Sequence, residues 1–432
     1  MQITGGIDFV SGLVLVVFIA TYLVISSEKV NRTATSLLGM GLVGVILWAA
    51  GAGTFSSIVE HIEWDIVLFV TAMMIIVTIA SGTGMFQFLA IQLTRPTHAN
   101  TRQLYIAFLA FVFVISLALD TTSTMLIMAP LSIELCKSLE IDFKPFLISE
   151  AVVCNFASIP SIVGAVPNLV IAEETGLDPG LLFISLMPLS LILFLVSIPI
   201  LLRYFEIFLG TSQQDAVDEI LLVNSRFMIR SQKDFYGSII ALFVLVLVFT
   251  LGHESGFETA MIAILVASIL LIGSREKVDD ILQRVNWGTI FFLVGLFGLV
   301  AALDITGIID FIAVAVGAMI GDNEIIALAF MIWIPGLLSA VIDNIPISAV
   351  VAPIAVQFAY ISPLLPIALI VGVNIGGFIF PIGSPANILA MAFAEKEHNT
   401  ISMKEFAKIA TPLGILMLVI ATGWFILLSM IF

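Results

Sequence analysis

Charge is what this chain has least of. Asp, Glu, Lys and Arg make up 11% of its 432 residues, where soluble domains carry about 25%. A soluble globule could not cover its surface with so few charges, and that class is excluded. Positive charge is scarcer still: 16 Lys and Arg stand against 31 Asp and Glu, which argues against a nucleic-acid partner. Cysteine is limited to Cys136 and Cys154, in apolar surroundings and without a metal-ligand spacing. No basic residue precedes the first apolar run at Ile7, so a cleaved signal peptide is not expected.

What is present is apolar, at 60% of residues, in long continuous runs rather than the short alternating segments of an outer-membrane barrel. Runs near the roughly 20 residues needed to cross a bilayer lie at 7–25, 34–52, 65–91, 181–202, 235–252, 257–273, 287–320 and 407–431. The expected fold is an all-α polytopic membrane protein.

Lys and Arg orient it, because cytoplasmic loops carry their excess. With Lys29 and Arg32 inside, the loop at Glu60, His61 and Glu63 is outside and Arg95 and Arg102 are inside again. Lys137 and Lys144 are also inside, so the stretch 104–136 enters and returns as a re-entrant hairpin around Asp120-Thr121-Thr122. A second hairpin is expected at 324–359 around Asp343-Asn344, opening to the outside. This threading puts all 16 cations on one face, both termini outside and the connector 203–234 in the cytoplasm. His61, His98, His253 and His398 fall in loops, and Glu150 is expected near the cytoplasmic boundary.

The chain also repeats itself. Sliding it along itself so that Trp64 meets Trp287 brings Gly84 onto Gly307, Phe88 onto Phe311, Asp120 onto Asp343 and Pro130 onto Pro353. A slightly shorter slide brings Asn155 onto Asn374, Gly164 onto Gly383 and Asn168 onto Asn387. An odd number of crossings separates the copies, which makes them inverted, the pattern of secondary transporters. The expected units are 1–202, with hairpin 104–136 and broken helix 146–175, and 235–432, with hairpin 324–359 and broken helix 364–395. About ten spanning helices and two hairpins result.

The residues that carry chemistry sit at the interruptions. A charged carboxylate at a helix centre costs about 2.5–3.5 kcal/mol, so an intramembrane acid normally faces a cavity or a partner. Asp120 and Asp343 stand at the hairpin tips beside Thr121, Thr122, Ser123 and Asn344. Capping of the following helix explains each acid equally well and does not exclude ion binding. Inside the broken helices, Asn155, Gly164 and Asn168 mirror Asn374, Gly383, Ser384 and Asn387, with Gly and Pro predicting unwound centres. Asn–Ser hydrogen bonding between packed helices is the plainer account of these. Together the groups form a set for Na⁺, at Asp120, Asn155, Asp343 and Asn374, or for proton exchange, and for a small polar substrate.

The order Asp120-Thr-Thr, Gly164-Ala-Val-Pro167-Asn168, Asp343-Asn344-Ile-Pro346 and Gly383-Ser384-Pro385-Ala-Asn387 resembles the ion transporter superfamily. That group includes arsenite permeases, NhaD-type sodium/proton antiporters, the melanosomal P protein, citrate carriers and divalent-anion symporters. The divalent-anion symporters carry Ser-Asn-Thr at their hairpin tips. The acids here depart from that and are similar to the arsenite permease, NhaD and P-protein side. The resemblance implies a homodimer in which hairpins and broken helices move as an elevator domain against a scaffold. It implies a secondary active transporter of the inner membrane of a prokaryotic cell, not an enzyme, with no cofactor beyond H⁺ or Na⁺ as coupling ion. An arsenite-type inorganic anion is the expected substrate, sodium/proton antiport the alternative, and a carboxylate carrier or a channel more remote. An intramembrane aspartyl protease would show Tyr-Asp and Gly-x-Gly-Asp motifs, which Leu119-Asp120 and Ile342-Asp343 do not provide.

Overall fold

The computed structural model describes residues 8–26, 30–94, 97, 100–207, 229–251 and 259–430. The described chain is helical, and its helices fall into two series that match in order and length. The first runs α1 (Phe9–Ser26), α2 (Arg32–Ala49), α3 (Phe55–Glu60), α4 (Trp64–Gly82), α5 (Met85–Thr94), α6 (Thr101–Ile115), α7 (Thr121–Ser138), α8 (Lys144–Ala157), α9 (Val166–Thr175) and α10 (Pro179–Tyr204). The second runs α11 (Gln232–Leu251), α12 (Thr259–Gly273), α13 (Val278–Gln283), α14 (Trp287–Ile305), α15 (Ile308–Ile320), α16 (Glu324–Ser339), α17 (Asn344–Gln357), α18 (Leu365–Ile379), α19 (Pro385–Lys396) and α20 (Met403–Ser429). Each helix of the first series corresponds to the one ten numbers later. Among the described residues, five helices (α2, α4, α10, α14 and α20) are long and apolar enough to cross a membrane unaided.

Two expected spans are corrected. The runs 65–91 and 287–320 are not single helices but α4 with α5, and α14 with α15. Each breaks at a glycine in the left-handed region, Gly84 (φ 80°) and Gly307 (φ 70°), which a right-handed helix cannot pass through. The short helices α3 and α13 stand where the sequence reading had loops. Asp215, Asp218, Glu219 and Arg226 of the connector, together with Lys29, Arg95, His98 and His253, lie outside the described residues.

The helices sort into two groups. In one, α2 packs on α14 and α1, while in the other series α12 packs on α4 and α11. In the second group each hairpin packs on its own broken helix, α6 on α8 and α16 on α18. The returning hairpin helices then reach across the repeat boundary, α7 onto α19 and α17 onto α9. The long α10 and α20 flank this second group and touch each other. Both hairpins and both broken helices therefore pack as one body.

Loop contacts separate two faces. On one, Lys137 bonds Glu397, Lys144 lies 3.7 Å from Glu405, Arg102 reaches Glu206 at 3.0 Å and Lys233 donates to the Gly273 carbonyl at 2.7 Å. These are segments that positive charge assigns to one side. On the other, Ser11 donates to the Thr306 carbonyl at 3.1 Å and Gln357 to Asp310 at 2.9 Å. This second face is acidic: burial pushes the Glu63 carboxyl up from its ordinary range, with repulsion from Glu174, Asp65 and Glu173 adding to it.

Candidate functional site

Both hairpins turn where an Asp ends the reversal and caps the returning helix, yet the two caps differ. Asp120 Oδ1 accepts from the amides of Thr122 (3.0 Å) and Ser123 (3.1 Å), and its Oδ2 accepts from Ser123 Oγ (2.5 Å). Its carboxylate is consumed by its own helix. Asp343 Oδ1 accepts only from the Ile345 amide at 3.1 Å, because Pro346 stands where the next donor would be and has no N–H. Its Oδ2 is left for Arg32, whose Nη1 lies 3.8 Å away.

Arg32 is the residue at this tip that sequence reading missed, having used it only to orient the chain. It opens α2 and is held against α14: Nη2 donates to Thr289 Oγ1 at 3.4 Å and the guanidinium stacks over the Phe292 ring at 5.2 Å. Its proximity to Asp343 spans the two helix groups, and no local sequence pattern announces such a contact.

The Arg32–Asp343 pair lines a cavity of about 370 Å³, which also touches Thr122, Asn286, Ile382 and Pro385. Both hairpin tips and the start of α19 therefore meet one space. Asp120 opens instead into a small cavity of about 20 Å³ beside Phe69, Met73 and Val166. The two acids face different cavities.

Deeper, the broken helices unwind at 158–165 and 380–384. Unwound backbone inside a membrane protein must find partners, and one Asn in each repeat supplies them. Asn168 Nδ2 donates to the carbonyls of Ser158 (2.9 Å), Ile159 (3.2 Å) and Ser161 (2.8 Å). Asn387 Nδ2 does the same for Gly377 (2.8 Å) and Phe380 (3.2 Å). Their Oδ1 atoms accept across the repeats: Asn168 from Asn374 Nδ2 at 2.6 Å, Asn387 from Asn155 Nδ2 at 3.5 Å. Asn155 and Asn374 also donate to Ala151 and Ile370 carbonyls, both at 2.8 Å. Because those carbonyls only accept, the amide orientation is fixed. Asn155 Oδ1 and Asn374 Oδ1 are then buried with no partner, a matched pair of bare acceptors.

The other expected site residues distribute around this quartet. Asn344 is buried, and a Cβ added at Gly377 would lie 3.1 Å from Asn155 Oδ1 and 3.2 Å from Asn344 Nδ2, so tip and quartet are neighbours. Ser384 caps α19 on the Ala386 amide at 3.4 Å. Gly164 and Gly383 sit where a side chain would strike backbone, the Ser116 carbonyl (2.2 Å) and the Ser339 carbonyl (2.5 Å). Thr121 is buried in the first turn of α7. His61 and His398 are exposed, as expected. Glu150 is wholly buried, six residues along α8 from Lys144.

The Asn168 role gives an expected result. Asn168→Ala leaves buried carbonyls bare, at about 1–3 kcal/mol for each unsatisfied group, and lowers the thermal midpoint of the purified protein. The double variant with Asn374→Ala costs less than the sum of the single changes, by about 0.5–3 kcal/mol. Additive losses would mean that the two repeats are not joined through this bond.

A family profile described as a citrate transporter, CitMHS, matches residues 22–363. A "46 kDa membrane protein" of Mycobacterium leprae is 28% identical over 404 residues, covering 92% of this chain and 94% of that one. The human P protein is 24% identical over 493 residues, covering 95% of this chain and 59% of the P protein. Among solved structures, MtrF of Neisseria gonorrhoeae, described with a class of antimetabolite efflux pumps, superposes with a TM-score of 0.56 at 12% identity, over 97% of this chain and 94% of that one. At that identity the likeness is one of fold.

Proposed function

The chain belongs to the citrate transporter family CitMHS, and from that premise we propose that this membrane transporter carries a small anion coupled to H⁺ or Na⁺. The observation that supports it most is the Arg32–Asp343 pair in the 370 Å³ cavity. A guanidinium there is a receptor for a carboxylate or oxyanion. In the resting arrangement its charge is balanced by Asp343. When Asp343 takes up H⁺ or Na⁺, that balance is lost and Arg32 becomes free to hold an anion. Cation and anion binding thereby favour each other, which is the requirement for coupled flux.

Movement follows from the two helix groups. The hairpins and broken helices, α6–α9 and α16–α19, travel as an elevator against the scaffold that carries Arg32. Taking the Lys/Arg face as cytoplasmic puts both termini outside, in the inner membrane of a prokaryotic cell, and the superfamily resemblance adds a homodimer. Citrate, in keeping with the family's description, and arsenite are the first substrates to test.

A second reading, sodium/proton antiport, is favoured by Asn155 Oδ1 and Asn374 Oδ1. Hard oxygen acceptors without partners suit a small cation, and two such oxygens need no anion.

A thermal-stability screen of purified protein separates the readings. Citrate, arsenite or phosphate raises the midpoint, more so with Na⁺ or at acid pH, and Arg32→Gln removes the shift. Saturation at about a hundred times Kd is worth about 2.7 kcal/mol. Stabilisation by Na⁺ alone, unchanged in Arg32→Gln, would replace the anion reading with antiport.

A further inference from the structure

One buried acid remains outside this scheme. Glu150 lies on α8, wholly buried, about 9 Å along the helix from Lys144 at 1.5 Å per residue. Ser132 of α7 bonds its Oε1, and its Oε2 is buried with no partner. Beside it the Tyr105 hydroxyl of α6 is hydrogen-bonded to Ser149.

The inverted copy shows what the fold itself requires at these places. Glu150 corresponds to Leu369, Ser149 to Ala368, Ser132 to Ala355 and Tyr105 to Leu328, and all four of those residues are buried. The same packing problem is solved in the second repeat by apolar side chains alone. A polar cluster confined to one copy is therefore not demanded by the architecture. Burying a carboxyl with an unmet oxygen is costly, so a structural role for it would be a poor bargain.

The surroundings also lack a counter-charge. Tyr105 of α6, Cys136 of α7, Cys154 of α8 itself, Asp120 at the α7 cap, and Glu140 and Asp142 in the following loop are the titratable groups on this side. Packed against α8, α18 has no titratable side chain, and α10 and α19 carry theirs at their ends, Arg203 with Tyr204 and Glu395 with Lys396. Arg102 of α6 and Glu134 and Lys137 of α7 are exposed, and Lys144 is engaged with Glu405. Among the described residues no cation pairs with Glu150. An unpaired buried charge is strongly unfavourable, whereas a neutral carboxylic acid is tolerated.

We infer that Glu150 is a proton-binding site of the moving unit, taking one H⁺ from the Lys/Arg-rich face and giving it up during the transport cycle. Protonation converts its carboxylate to the acid, and Ser132, which can donate or accept, follows the change. Asn155 is five residues further along α8, so the proton is held between the solvated face and the Asn quartet. This assignment rests on the reading of the chain as an ion-coupled carrier and gives H⁺ a site separate from Asp343.

The test is infrared difference spectroscopy of the full chain in lipid discs, stepping the pH from alkaline to acid. One component of the carboxylic-acid C=O band grows with acidification in wild type, persists in Asp343→Asn and is missing in Glu150→Gln, where the components of the other acids remain. A second variant, Ser132→Ala with Glu150→Leu, installs the other repeat's own pair. It folds and melts like wild type but also lacks that component. An acid-minus-alkaline spectrum that is the same in wild type and Glu150→Gln, so that no carboxyl component belongs to Glu150, overturns the assignment. In proteoliposomes, Glu150→Gln loses citrate accumulation driven by a pH gradient while keeping citrate/citrate exchange. If exchange is lost as well, Glu150 belongs to substrate handling and the assignment falls. If wild type moves no citrate, the citrate reading fails and the spectral result still decides for Glu150.

Discussion

Asp343→Asn is expected to remove the dependence of anion binding on Na⁺ or pH, while Asp120→Asn leaves that dependence in place. Asn is as good a helix cap as Asp, so the amide oxygen introduced there still accepts from the Ile345 N–H and the hairpin still turns. What disappears is the carboxylate oxygen facing Arg32. A coupling of about 1–3 kcal/mol between two ligands corresponds to about 5–150-fold in affinity, and that whole factor should collapse in Asp343→Asn. Asp120 gives both its oxygens to Thr122 and Ser123. Its replacement changes stability by no more than about 1 kcal/mol and spares coupling. Anion titrations at two pH values, with and without Na⁺, measure this directly. Equal loss in both variants would show that the difference in capping has no functional meaning.

That difference could not be seen in the sequence, which made the two tips look equivalent. Asp120 and Asp343 align, and the missing N–H of Pro346, opposite Ser123, does not by itself show that one oxygen of Asp343 is left over. The architecture itself was legible for a physical reason: a bilayer fixes span length, and the Lys/Arg positions then force the hairpins. Where spans contained left-handed glycines, as at Gly84 and Gly307, hydropathy ran straight through the break because it carries no dihedral information. Asn155, Asn168, Asn374 and Asn387 could be picked out individually from the repeat. Their cross-repeat bonding could not, since it depends on how two distant segments meet. Arg32 and Glu150 were each read by position relative to the membrane, one as an orientation signal and the other as a boundary residue. Only packing reveals that Arg32 reaches a hairpin tip and that Glu150 is sealed inside.

Gly376→Ala is expected to be among the most damaging single changes in the chain, although it adds one methyl group. Gly372 and Gly376 lie one turn apart on α18 and face α16. A Cβ at Gly376 would lie 2.1 Å from the Gly336 carbonyl oxygen and 2.8 Å from the Gly336 Cα, and one at Gly372 would lie 2.5 Å from the Ile332 carbonyl oxygen. These obstacles are backbone, which no rotamer change can clear. Small residues of this kind let membrane helices approach closely, and here they join the second hairpin to its broken helix. Overpacking costs about 1–3 kcal/mol even where side chains can adjust, so this substitution should exceed the upper end. Gly41 of α2, with nothing within 4 Å of its added Cβ, is the matched control. There Ala should be neutral or gain up to about 1 kcal/mol in helix propensity. Midpoints in thermal melts of the two variants test the argument, and it fails if Gly376→Ala melts where Gly41→Ala does. The functional consequence has the same origin. With no side chain between α16 and α18, a displacement of Asn374 must carry the α16 end of the hairpin with it. Forcing the helices apart should uncouple Asp343 from the Asn quartet, so any Gly376→Ala protein that folds should also lose ligand-induced stabilisation.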